Sequence, residues 1–139
     1  MTSRQSNAIN FINPPELARP RGYSNVVEIR SGRIVYIAGQ VAVDQQGRLV
    51  GGSDFEAQAD QVFRNLTIAL ASVGCTPREL VKLTVFVRDM SRLPLYRKAR
   101  DRFLASTKPP AAPAITLVEV SQLFAEEFLI EIEAVVAAT

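Results

Sequence analysis

The stretch "LVKLTVFVRD", residues 80–89, sets Val81, Leu83, Val85 and Val87 on one side and Lys82, Thr84, Phe86 and Arg88 on the other. Alternation with a period of two is the signature of a strand with one buried face. Immediately before it, "TPRE" (76–79) is a capping pattern with proline at the first helical position and room for a single turn. Further upstream, "SDFE" (53–56) reads as a capping box, with Ser53 as the cap and Glu56 reaching back. From there Phe55, Ala59, Val62, Phe63, Leu66, Leu70 and Val73 recur at helical spacing until Gly74. The spacing predicts a helix over about 54–73, stopped by a glycine that accepts the left-handed conformation.

Working outward, "VVEIR" (26–30) and "IVYIAG" (34–39) read as two strands around "SGR", and "DQQGRL" (44–49) as a turn. A second helix is predicted over about 92–106, with Leu93, Tyr96, Phe103 and Leu104 inward and Arg92, Lys98 and Arg102 solvated. "AITLVEV" (114–120) and "FLIEIEAVVAA" (128–138) supply the last strands. Residues 1–22, punctuated by Pro14, Pro15, Pro20 and Gly22, read as an arm or loop. The order β-β-α-β-α-β-β implies a single α+β domain over 1–139, with a mixed sheet and two helices on one face. "IVYIAG" and much of "EAVVAA" are apolar on both faces, whereas a wet antiparallel face alternates. The second face is therefore expected to be covered in a homo-oligomer. The competing reading is a pair of central strands with scattered exposed apolar residues.

With 139 residues, 47% hydrophobic and 22% charged, the chain can bury a core without disulfides or metals. Its formal charge of +2, with 13 of 16 basic residues Arg, falls short of the basic footprint of a dedicated nucleic-acid binder. There is no His and one Cys, Cys75, so neither an imidazole base nor a structural zinc site is available. The opening residues lack an apolar core of signal-peptide length and no run approaches a membrane span. These features point to a cytoplasmic setting.

Two groups carry candidate chemistry. Glu131 and Glu133 lie at i and i+2 in the last strand and share a face, with Glu119 a third member if the register allows. A carboxylate in a cleft can act as acid or base, or hold a water. The alternative is a solvated or Arg-paired strand face. Arg97 and Arg100 accompany Tyr96 in the second helix, and Arg97 borders the apolar stripe. Either a guanidinium gripping a carboxylate or a solvated helix face accounts for them. Tyr23, in "RGYS", closes over a pocket or anchors the arm.

Seven stretches in order, "GYSNVVEI", "VYIAGQVAVD", "GRLVG", "QADQVFRNLTIALASVG", "LVKLTVFVRDM", "PAITLVEV" and "IEIEAVV", resemble the RidA family (reactive intermediate deaminase, YjgF) from Gly22 to Val136. The resemblance implies a chorismate-mutase-like α+β fold and a homotrimer around a central barrel, with small-molecule clefts between subunits. It also implies hydrolysis of reactive enamines and imines, such as 2-aminoacrylate, to keto acids and ammonia without metal or organic cofactor. Active members carry an Arg after "PA" that grips the substrate carboxylate. Here that position is Ile115, the family's "SGQ" has become "AGQ" with Ala38, and Arg97 stands where Asn is frequent.

Tyr23 matches the family's cleft tyrosine and Glu131 its water-positioning carboxylate, with backbone near Gly39 and Arg97 expected to hold substrate. Losing a charge-assisted bond costs about 1.5–3 kcal/mol, roughly ten- to a hundredfold in binding. A deaminase or related hydrolase with altered substrate range is the first expectation. A non-catalytic trimer that binds a ligand or partner is the second. An endoribonuclease-type RNA activity is the third, weakened by the absence of His.

Overall fold

The computed structural model describes residues 8–138. The alternating stretch forms β4 (Leu80–Val87), and Leu83, Val85 and Val87 enter the core as expected, whereas an irregularity between Leu80 and Lys82 puts Leu80 and not Val81 there. β4 lies between β6 (Ile130–Ala138), which is antiparallel to it, and β5 (Ala114–Glu119), which is parallel. β3 (Arg33–Gln40) completes a four-stranded mixed sheet in the order β3-β6-β4-β5.

Helix α1 (Phe55–Ala71) lies against β3 and β6, and α2 (Leu93–Leu104) against α1. The core joins Val62, Phe63, Leu66 and Leu70 of α1 to Leu83, Val85, Ile130 and Ile132 of the sheet. Phe63 stacks on Phe103 of α2 at 4.7 Å, tying the two helices together. The one-turn Pro77–Glu79 3-10 helix carries the expected capping box, with Thr76 accepting from Arg78 N and Glu79 accepting from Thr76 N.

Several expectations are corrected. The segment read as a loop contains a strand, β1 (Ile9–Ile12), while residues 1–7 of the arm lie outside the described residues. Four residues are too few to show a period, and the strand is made by pairing with β2 (Val26–Ile29), distant in sequence. The two strands around "SGR" are present but lie in different sheets: β1 and β2 form a separate two-stranded sheet, whereas β3 pairs with β6. The cap of α1 is Asp54, whose carboxylate accepts from Ala57 N at 3.2 Å, and not Ser53. Both residues are good N-caps, and the turn closed by Asp54 N on Gly51 O selects between them.

The sheet face away from the helices is open along β3, where Ile34 and Tyr36 are 54% and 78% exposed. None of the described helices is long and apolar enough to cross a membrane. Asp54→Ala is expected to cost about 1 kcal/mol of stability and Ser53→Ala close to nothing. Denaturant unfolding of the two variants checks which residue caps α1.

Candidate functional site

The β4–β6 register puts Glu131 opposite Phe86 and Glu133 opposite Thr84, both on the open face. Next to them β3 bulges. Ile37 pairs with Ala134 and Gln40 with Ile132, so Ala38 and Gly39 together oppose a single residue. The bulge turns Gly39 toward Glu131. A Cβ on Gly39 would collide with Glu131 Oε2 and lie 2.8 Å from Cδ. Glycine is needed here for close approach, since its φ is not in the left-handed region.

The Glu131 carboxylate is thus laid across a notch in the neighbouring backbone, half-buried, with no ion-pair partner among the described residues. Phe86 beside it packs with Val41, Leu123 and Phe128, which form a small apolar cluster. Burial, and then the neighbouring Glu133 carboxylate, push the Glu131 carboxyl above the ordinary value of 4.5. A carboxyl raised in this way can take and return a proton closer to neutrality.

Glu119 does not join this pair. It pairs with Val87, one residue out of phase, and its carboxylate accepts from Met90 N at 2.8 Å at the entry to α2. Ile115 is likewise on the other side: it pairs with Leu83 and packs into the core beneath the helices. Along β4 it stands three residues from Phe86, about 10 Å at the usual rise. Within one chain, therefore, Ile115 and Glu131 do not meet.

Tyr23 belongs with Ile115. Ser24 N donates to Pro113 O at 3.0 Å and Ser24 Oγ to Ala112 O at 2.5 Å, clipping the Tyr23 segment to the head of β5. Arg97 is exposed and makes no hydrogen bond or ion pair among the described residues. The sequence-predicted residues therefore fall into two places: Gly39 with Glu131, and Tyr23 with Ile115. Arg100 was expected only as a companion of Arg97, yet it is the buried member of the two. The signal was its spacing of four from Tyr96 on the inward face. Cys75 is buried and its thiol is pushed up by burial, which suits packing more than reaction.

Residues 15–138 match the model of the family described as Endoribonuclease L-PSP. A RutC family protein of Pyrococcus horikoshii is 33% identical over 108 residues, covering 77% of this chain and 81% of that one. A 2-iminobutanoate/2-iminopropanoate deaminase of Dermatophagoides farinae is 26% identical over 127 residues, 91% of this chain and 94% of that one. Among solved structures, the Rid family protein YyfB of Yersinia pestis superposes with a TM-score of 0.84 at 35% identity, over 94% of this chain and 98% of that one.

The raised carboxyl has a testable sign. The folded protein holds a proton on Glu131 that the unfolded chain has already released, so this group's stability contribution falls as pH rises past about 4.5. NMR titration of the Glu131 carboxyl should give a midpoint above 4.5, and Glu133→Gln should lower that midpoint without abolishing the rise due to burial.

Proposed function

The chain belongs to the Endoribonuclease L-PSP family, the RidA/YjgF group, and from that premise we propose that it hydrolyses small enamines or imines to carbonyl compounds and ammonia. The observation that carries this reading is the half-buried Glu131 carboxylate lying over Gly39 with no cation among the described residues to neutralise it.

Water adds across the C=N bond. Glu131 takes a proton from the water as its oxygen bonds to carbon, and returns the proton to nitrogen. Glu131 next takes the proton of the new hydroxyl as the C=O bond forms and passes it to the amino nitrogen, so the C–N bond breaks with its electron pair on nitrogen and ammonia departs. An enamine enters after its tautomerisation to the imine. Proton transfer by a placed carboxylate contributes about 10²–10⁴-fold. The family relative named as a 2-iminobutanoate/2-iminopropanoate deaminase supports the same reaction class.

The separation of the two halves supports a site built between chains. Glu131 and Gly39 face out from the open sheet face, whereas Tyr23, Ile115 and α2 with Arg97 belong to the opposite side. A homotrimer that buries exposed Ile34 and Tyr36 around a central barrel would set the β6 face of one chain against the β5 head of the next. A cytoplasmic, reducing setting suits a chain whose single cysteine is buried and unpaired. A second reading, a trimer that binds a ligand without turnover, draws on Ile115, whose side chain serves the core and cannot grip a carboxylate.

The test is a coupled assay in which 2-aminoacrylate, or an imine without a carboxylate, is generated in situ and semicarbazide competes for it. Wild type should speed ketone formation, and Glu131→Gln should lose about a hundredfold or more with the oligomer intact. An undiminished rate in Glu131→Gln would refute the assignment. Ligand-dependent thermal stabilisation with no turnover of either imine would favour the binding reading.

A further inference from the structure

Arg100 is the only charged side chain buried among the described residues, at 8% exposure. It sits on the inward face of α2, with its guanidinium carbon 5.8 Å from the centroid of the Tyr96 ring. A charge removed from water needs a partner. Its one acidic partner among the described residues is the adjacent Asp101, whose Oδ1 accepts from Nε at 3.0 Å and lies 2.9 Å from Nη2. That carboxylate is 63% exposed, so water screens it, and it takes one edge of the fork only. Nη1 donates to no atom of the described residues. Beside it the Tyr96 hydroxyl, in a residue 1% exposed, has no hydrogen-bond partner among the described residues. Burial pushes this phenol up to about 12, so it stays protonated and able to donate. Buried polar groups are nearly always satisfied, and one orphaned phenol beside the free edge of a guanidinium points to an acceptor that the described residues do not supply.

The location gives the acceptor a meaning. A Cβ on Gly22 would lie 2.5 Å from Arg100 Nη2 and 3.0 Å from its Cζ, so the guanidinium rests directly against the backbone that precedes Tyr23. That backbone is bonded through Ser24 to Ala112 and Pro113, immediately ahead of Ile115. A cation therefore reaches the head of β5 from the helix and not from the strand. Arg97, three residues earlier, is exposed and unengaged.

We infer that Arg100, assisted by the Tyr96 hydroxyl, anchors the carboxylate of a small ligand at the head of β5, where Ile115 offers no charge. A planar carboxylate has two acceptor oxygens for the free edge of the fork and the phenol. The inference rests on the cleft reading above but not on turnover.

The test is binding of 2-oxobutanoate to the full-length protein by calorimetry, with butanone as the same skeleton lacking the carboxylate. Wild type should bind 2-oxobutanoate and not butanone, and Arg64→Ala, at an exposed arginine of α1, should bind like wild type. Arg100→Lys keeps the charge but loses the fork, and should weaken binding about tenfold or more. Tyr96→Phe should weaken it by a smaller factor and serves as the second variant if Arg100→Lys fails to fold. Wild-type affinity in Arg100→Lys or Tyr96→Phe, loss of binding in Arg64→Ala, equal binding of butanone, or no binding by wild type would each overturn the inference. Ammonia release from a carboxylate-free imine, read on the same preparations, decides the hydrolase reading separately.

Discussion

The pairing of β4 with β6 is the constraint on which the rest depends. Leu83, Val85 and Val87 alternate with Lys82, Thr84 and Phe86, and across the ladder Ile130, Ile132, Ala134 and Val136 alternate with Glu131, Glu133 and Val135. Only one phase of this pairing buries both apolar sets beneath the helices. A slip of one residue would drive Glu131 and Glu133 into the core, where an unpaired carboxylate costs several kcal/mol. The same alternation that builds the core therefore delivers the two carboxylates to the open face. Fold and candidate chemistry are two consequences of one register.

What the register cannot do is bring every candidate residue to one place. Phase separates Glu131 from Ile115 as firmly as it separates Glu131 from Ile132. The bulge at Ala38–Gly39 brings β3 to the Glu131 side, and the Ser24 bonds bring Tyr23 to the Ile115 side. Half a site on each face of a sheet is what the proposed cyclic assembly would use, since a head-to-tail boundary sets different faces of identical chains against each other.

The long periodic elements were legible in the sequence because their periods are long enough to count. α1, α2, β4, β5 and β6 end within a few residues of where their patterns end. β1 was not legible: "INFI" is four residues, and it is a strand because β2 pairs with it. Asp54 displaced Ser53 as the cap because the choice lies in the preceding Gly51 turn. Glu131 and Gly39 were both legible as candidates, but the collision that makes Gly39 necessary comes from a bulge no pattern announces. Arg100 illustrates the opposite failure. Charge argues for solvent, yet position on the inward stripe, a glycine overhead and an adjacent aspartate together bury it.

The central claim is that the site is shared, with Glu131 of one chain working against the β5 head of another. The most direct measurement is a crystal structure of the assembled protein, reading which side chains surround the Glu131 carboxylate. The account predicts a homotrimer in which Tyr23, Ile115 and α2 of a neighbouring chain complete a cleft over Glu131 and Gly39. An assembly that leaves Glu131 facing bulk solvent, or surrounds it only with residues of its own chain, would contradict it.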